Sequence, residues 1–125
     1  MIGLCDTSVF IAHEQGRPMV DEIPDDVSVS VITVGELRLG VLMADDEPRA
    51  RRLSTLQFAL AMEPLPITAD VADTWADLVA RLRRDGKRMP LNDSWIAATA
   101  LTHEMSIVTQ DTDFDVVDGL TVVRV

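Results

Sequence analysis

Short apolar runs alternate with amphipathic stretches along the whole chain. Five runs have the length and the apolar or β-branched content of strands, namely residues 2–5, 27–33, 64–68, 106–109 and 120–125. Between these runs the apolar positions recur at spacings of three and four, which predicts helices. The predicted helices cover residues 8–14, 34–44, 48–62, 69–84 and 93–105. Alternating strands and helices favour an α/β fold with a mainly parallel central sheet of about five strands and helices on both faces.

The helix predicted over residues 69–84 has the clearest pattern. Its apolar stripe consists of Val71, Trp75, Leu78, Val79 and Leu82. Thr68 or Asp70 is suited to cap its start, and Gly86 is suited to end it. A parallel sheet built from such units binds ligands beyond the carboxyl ends of its strands. That edge is therefore where functional side chains are expected.

The length and composition indicate one folded domain spanning residues 1–125. Of the residues, 47% are hydrophobic, which is typical of a folded chain. The longest uncharged stretch, residues 53–62, is far shorter than the ~20 apolar residues of a membrane helix. The first apolar run meets Asp6 too soon for a signal peptide, which favours a cytoplasmic protein without a membrane anchor. Cys5 has no partner cysteine, so a small buried thiol is expected.

The formal net charge of −10 argues against binding nucleic acid if the charge is evenly spread. The basic residues are not evenly spread, however. Most of them lie in two segments, RARR at 49–52 and RLRRDGKR at 81–88. Local surfaces able to hold phosphate therefore remain compatible with an acidic chain.

Four acidic residues follow strands or begin helices in the predicted α/β pattern: Asp6, Glu36, Asp93 and Asp111. Each also has an ordinary structural interpretation, namely helix capping for Asp6 and Asp93, an exposed helix face for Glu36 and a turn for Asp111. In a parallel fold all four would meet at one edge of the sheet. A cluster of that kind is tolerated only where protons or cations neutralise it, and Mg²⁺ and Mn²⁺ prefer oxygen ligands. The chain offers no Cys/His spacing typical of zinc.

Four segments together, LCDTSVFI (4–11), TVGELRLG (33–40), NDSWIAATAL (92–101) and IVTQDTDF (107–114), resemble the PIN-domain ribonucleases, specifically the VapC-type toxins of VapBC toxin–antitoxin pairs. The resemblance runs nearly from end to end. It implies that Asp6, Glu36, Asp93 and Asp111 form an acidic metal site. It also implies that Asp113 adds a ligand or a water contact.

The same resemblance assigns supporting roles to hydroxyl groups. Thr7 and Thr109 would orient carboxylates or phosphate oxygens, with Thr7 holding the carboxylate of Asp6. From the residues alone, Thr7 and Ser8 are both better suited to cap a helix than to act as nucleophiles, because no histidine with a plausible orienting partner is present. Gly40 matches a small residue where two helices cross.

The implied activity is that of an endoribonuclease dependent on Mg²⁺ or Mn²⁺, in which a metal-activated water attacks the RNA phosphodiester and leaves a 3′-hydroxyl and a 5′-phosphate. Arg17 and Arg38 are candidate RNA contacts. The implied partners are a second copy of the chain, in a homodimer, and a VapB-type antitoxin. The antitoxin's C-terminal segment would cross a groove that the helices at 34–44 and 48–62 supply.

Two other classes of protein remain open from the residues alone. A receiver-like α/β domain also places Asp at strand ends, but it expects a Lys at a late strand end, whereas Lys87 follows a helix. A non-catalytic interaction module would use the acids only to cap helices or to bind an ion. Asparagine in place of Asp6 separates these alternatives, since asparagine is a good cap and a poor metal ligand.

Overall fold

A four-stranded, fully parallel sheet forms the centre of the molecule in a computed structural model that describes all residues from Met1 to Val125. The strands are β1 (Gly3–Cys5), β2 (Val27–Val29), β3 (Ser106–Thr109) and β4 (Val122–Arg124). Their order across the sheet is β2-β1-β3-β4. β1 and β3 are the two central strands, and their carboxyl ends lie side by side. The predicted α/β class and parallel sheet are confirmed.

Five helices cover the sheet. They are α1 (Thr7–Glu14), α2 (Val31–Met43), α3 (Asp46–Leu60), α4 (Ala69–Arg84) and α5 (Leu91–Thr102), and a short 3₁₀ turn covers Asp113–Val116. The helix predicted over residues 69–84 has those bounds, and the side chain of Thr68 caps it by accepting a hydrogen bond from the backbone N–H of Val71. The other four predicted helices are present, with ends that differ from the prediction by at most three residues. No helix combines the length and the apolar character that a membrane span requires.

Two apolar cores lie on opposite faces of the sheet, because successive strand residues point in opposite directions. Leu4 of β1 and Ile107 of β3 pack with α4 and α5. Their neighbours Cys5 and Val108 pack with α1, α2 and α3. Both central strands are therefore buried on both faces, which explains why their sequences are continuous apolar runs rather than alternating ones.

The strand predicted at residues 64–68 is wrong, and the strand predicted at residues 27–33 is too long. β2 stops at Val29, because Ser30 caps α2 by accepting a hydrogen bond from the backbone N–H of Ile32. The β-branched residues at 31–33 thus enter the helix. Residues 64–68 contribute only one bridge, Ser30 to Leu65, in which the N–H of Val31 donates to the carbonyl of Leu65. Hence the sheet has four strands.

Gly3 is required by the close packing of β1 against β3. A Cβ atom at this position would lie 2.6 Å from Cγ2 of Val108, which is a severe overlap. We expect Gly3→Ala to lower the free energy of unfolding by about 1–3 kcal/mol, as overpacked cores do. Gly35→Ala is the matched control, since its Cβ meets no atom within 4 Å on α2 and alanine favours a helix. Urea denaturation of both variants measures the difference; equal stabilities would contradict the overlap.

Candidate active site

A cavity of about 470 Å³ opens at the carboxyl edge of the sheet. All four acids singled out in the sequence line it: Asp6, Glu36, Asp93 and Asp111. Asp6 follows β1, Asp111 follows β3, Glu36 lies on α2 and Asp93 lies in the first turn of α5. The parallel topology therefore brings together side chains that are up to 105 positions apart in the sequence, as Asp6 and Asp111 show.

Asp6 is the buried member of this acidic group, with 1% of its surface exposed. It occupies the position before α1, yet its side chain makes no capping hydrogen bond. Instead, Ser8 Oγ donates to Asp6 Oδ1 at 2.6 Å, and Thr109 Oγ1 donates to Asp6 Oδ2 at 2.8 Å. The carboxylate is thus held from both oxygens by hydroxyl groups, and capping does not explain why an aspartate is present.

The same two hydroxyl groups fix the segment that follows β3. Ser8 Oγ accepts from the backbone N–H of Gln110 at 3.0 Å, and Thr109 Oγ1 accepts from the backbone N–H of Asp111 at 2.9 Å. Asp6 and Asp111 are therefore tied together through a shared network rather than placed independently. The orienting role expected for Thr109 matches this contact. Ser8 is an orienting residue and not the predicted helix cap, because its spacing of two from Asp6 permits a direct hydroxyl–carboxylate contact.

Thr7 holds Glu36 and not Asp6. Its Oγ1 donates to Glu36 Oε1 at 2.7 Å, which crosses from α1 to α2. The expectation that Thr7 holds the Asp6 carboxylate is wrong, because the first turn of α1 directs the Thr7 hydroxyl toward α2, leaving Ser8 to reach back to Asp6. Glu36 is half-buried and has the hydrogen-bonding partner that a buried carboxylate requires.

Burial and mutual repulsion make two of these acids harder to ionise. Burial raises the pKa of Asp6 from its ordinary value of 3.8 to about 6, although the Ser8 and Thr109 hydroxyls act in the opposite direction. Burial also raises the pKa of Asp93 from 3.8 to about 7, with further contributions from the charges of Asp6, Asp113, Glu36 and Asp111. The cavity therefore concentrates negative charge that a proton or a cation would stabilise.

The remaining candidate residues divide between the cavity and its surroundings. Arg17 lines the cavity, where it is the only cationic side chain. Asp113 is exposed and does not line the cavity, although its charge acts on Asp93. Arg38 is exposed on α2 and also lies outside the cavity. Asn92, which the sequence suggests only as a capping residue, lines the cavity, and Pro90 occupies the N-cap position of α5 instead.

The donor atoms of the cavity suit a hydrated magnesium ion. No group of three or more His, Cys, Asp or Glu side chains is arranged to hold a metal ion by itself. All the acidic groups offer carboxylate oxygens, which hard divalent cations prefer. Mg²⁺ keeps several waters and is commonly bound through one or two carboxylates together with substrate phosphate, so it does not require a closed protein cage.

Comparison with known proteins agrees with this geometry. The family model described as "PIN domain" matches residues 4–120. Ribonuclease VapC4 of Mycobacterium tuberculosis is 49% identical over 124 residues, covering 98% of this chain and 95% of that protein. Ribonuclease VapC5 of the same organism is 46% identical over 125 residues, covering 98% and 93%. The crystal structure of VapBC-5 from Mycobacterium tuberculosis, a member of the VapBC family of toxin-antitoxin systems, superposes with a TM-score of 0.89 at 43% identity, covering 99% of this chain and 98% of that chain.

Proposed function

The chain belongs to the PIN-domain family as a VapC-type ribonuclease, and we propose that it is an endoribonuclease toxin that cleaves RNA with the help of Mg²⁺ or Mn²⁺. The observation that carries this proposal is the convergence of Asp6, Glu36, Asp93 and Asp111 on one cavity. None of them is used to cap a helix there. Carboxylates that raise one another's pKa values lower the stability of the fold. Such a cluster is typical of a functional site.

Asp6, Asp93 and Asp111 are the residues proposed to hold the metal ion. Asp113 lies outside the cavity, although its charge acts on Asp93, and is proposed to contribute through a water contact. A bound divalent cation supplies positive charge for the substrate phosphate and increases the acidity of a water molecule. The network through Ser8 and Thr109 holds the Asp6 carboxylate and the backbone of Asp111, which supports the placement of these two residues in one site.

Two further residues of opposite charge, Glu36 and Arg17, belong to the proposed site. The Thr7 hydroxyl holds the Glu36 carboxylate, and Glu36 lines the cavity. We propose that it accepts a proton from the attacking water. Arg17 lines the same cavity, which supports a proposed contact with a phosphate oxygen of the RNA. Water rather than the ribose 2′-hydroxyl is the proposed nucleophile, so the expected products carry a 3′-hydroxyl and a 5′-phosphate.

The partner of this toxin is a VapB-type antitoxin, in keeping with the VapBC complexes among its structural relatives. Large apolar side chains stand exposed on α2 and α3, including Leu39, Leu42, Met43 and Phe58. Exposed apolar surface of this kind is typical of protein–protein contacts. We propose that it serves the antitoxin and a second copy of the chain in a homodimer, and that the complex acts in the cytoplasm, where RNA is available.

The acidic cavity also gives the antitoxin a means of inhibition. A basic side chain at the end of the antitoxin would be attracted by the charges that raise the pKa of Asp93. The receiver-like alternative finds no support in the geometry, because Lys87 lines a different cavity from the acids. Of the non-catalytic alternative, capping finds no support at Asp6, whose side chain makes no capping hydrogen bond, and ion binding without catalysis is separated from the proposal by the cleavage assay.

Removing divalent cations is the test of the proposed activity. Purified protein is incubated with a mixed-sequence RNA pool and Mg²⁺ or Mn²⁺, with and without EDTA. We expect cleavage with either cation and none in EDTA, because the charge of the acidic cavity repels the substrate phosphate until a cation is bound. The product ends are then identified by phosphatase and ligation assays. Cleavage in EDTA would contradict the metal requirement, and no cleavage of any RNA would favour a binding module.

A further inference from the structure

A second cavity, of about 640 Å³, lies beside the acidic one, between the carboxyl half of α4 and the start of α5. We call it the basic cavity, because three cations line it and no acidic residue does: Arg83, Lys87 and Arg88. Leu91 lines both cavities, so the two are adjacent at the beginning of α5. In a chain with a net charge of −10, such a local excess of cations demands an explanation.

These three cations take part in no ion pair. The two ion pairs of the molecule are Arg81 with Asp77 and Arg124 with Asp115. All three side chains of the basic cavity belong to exposed residues. Their charges are therefore free to meet an anionic ligand without first breaking a contact within the fold.

The other arginine-rich segment, residues 49–52, is used differently. Arg49 donates to the carbonyl of Ala44 at 2.7 Å, and Arg52 donates to the carbonyl of Gly40 at 2.8 Å. Both guanidinium groups thus bind the carboxyl end of α2, where cations stabilise a helix. The sequence presents two similar basic segments. In the second, Arg81 pairs with Asp77, and Arg83 lies in the last turn of α4, but the three cationic side chains of the basic cavity make no hydrogen bond or ion pair within the fold.

A fixed aromatic side chain completes the basic cavity. Trp75 lines it, and its indole is stacked on Trp95 with ring centroids 4.3 Å apart and planes 5° from parallel. Trp75 Nε1 also donates to Ser94 Oγ at 2.8 Å. These contacts already order the ring. Packing of a nucleic-acid base against it therefore costs little further side-chain conformational entropy.

We propose that the basic cavity binds single-stranded RNA next to the site of cleavage, with phosphates against Arg83, Lys87 and Arg88 and a base against Trp75. Aromatic surface beside a row of cations is the usual composition of a single-strand binding site. Adjacency through Leu91 lets one strand occupy both cavities. This inference rests on the proposed ribonuclease function. It places the RNA substrate on the side of the acidic cavity that α4 and α5 form.

Two triple variants test the proposal in the full chain carrying Asp6→Asn, so that RNA is not consumed. The first combines R83Q, K87Q and R88Q in the basic cavity. The second combines R51Q, R81Q and R84Q, which removes the same charge outside it. Binding of a mixed-sequence single-stranded RNA in Mg²⁺ is measured by fluorescence anisotropy over a salt series. We expect the first triple to bind roughly tenfold or more weakly than the second, with a salt slope smaller by about 2, at about 0.7 per lost phosphate contact.

Tryptophan fluorescence gives an independent measurement, since the chain has two tryptophans and they are stacked together. RNA should quench the emission of the control triple and not that of the basic-cavity triple. Equal affinity, equal salt slope and equal quenching in the two triples would overturn the proposal. Normal RNA binding with loss of antitoxin binding in the first triple would also overturn it, and would assign the cavity to a protein partner. Wild-type protein that cleaves no RNA would instead refute the ribonuclease function.

Discussion

Replacing Asp93 with asparagine should abolish RNA cleavage and, in the same molecule, increase the stability of the fold. Asparagine has nearly the same shape and is tolerated in the first turn of a helix. It removes a charge that is half-buried on α5 and that four other carboxylates oppose. Loss of residues that only orient a metal ligand costs 10–100-fold in many sites, so loss of a proposed ligand should cost at least about 100-fold in cleavage rate.

The stability change has a defined dependence on pH. The pKa of Asp93 is 3.8 ordinarily and about 7 in the fold, so the folded state retains a proton that the unfolded state has lost. The free energy of unfolding of the wild type therefore decreases as the pH rises from about 4 to about 7, and the whole decrease remains above that range. One pKa unit corresponds to about 1.4 kcal/mol, but Asp93 is only half-buried and solvent screens its interactions. Above pH ~7 we therefore expect the free energy of unfolding of the variant to exceed that of the wild type by about 1–2 kcal/mol.

Urea denaturation in EDTA at about pH 4 and about pH 8 measures this effect without interference from bound cations. The variant and the wild type should have similar unfolding free energies at the lower pH and diverge at the higher pH. Asp73→Asn is the matched control, because Asp73 is exposed on α4 and lies outside the acidic cavity. A variant that is no more stable than the wild type at either pH would contradict the raised pKa of Asp93 that burial and the neighbouring carboxylates produce.

Sequence pattern predicts the parallel sheet and all five helices because the relevant signals are local. The stripe on α4 and its Thr68 cap are readable within one segment. The end of β2 is not, since a valine at position 31 suits a strand as well as a helix. The choice is made by Ser30 and by the distant carbonyl of Leu65, which accepts from the N–H of Val31. Tertiary contacts thus override the β-branched preference.

The residues of the site are likewise easier to predict from the sequence than the hydrogen bonds between them. Topology alone places Asp6 and Asp111 at one edge, because parallel strands end on the same side. Which hydroxyl reaches which carboxylate depends on the first turn of α1, where Thr7 and Ser8 point to different partners. That difference of one position cannot be read from residue type. The exposure of Asp113 and the separation of Arg38 from the cavity are also consequences of packing.

Asp6→Asn should reduce RNA cleavage at least about 100-fold while leaving the fold intact, by the same comparison with residues that orient a ligand. Asparagine retains one oxygen that accepts from a hydroxyl, but its amide group meets the second hydroxyl and offers no oxygen to a cation. If Asp6 were only a cap, asparagine would serve as well, and activity would remain near the wild-type level. Circular dichroism and single-turnover cleavage of a defined RNA separate loss of fold from loss of chemistry.

Thr109→Val is the control that distinguishes loss of the Asp6 ligand atoms from loss of a hydroxyl that orients them. It keeps the Asp6 carboxylate and removes one of the two hydroxyls that hold it, together with the acceptor for the N–H of Asp111. We expect a smaller loss of cleavage, of about 10–100-fold, partly offset by higher Mg²⁺ because the donor atoms remain but are less well ordered. Asp6→Asn should show no such recovery. An equal response of both variants to Mg²⁺ would contradict the assignment of Asp6 as a ligand. Loss of a ligand atom should weaken cation binding far more than loss of the hydroxyl that supports it, so the same rise in Mg²⁺ should restore much less activity.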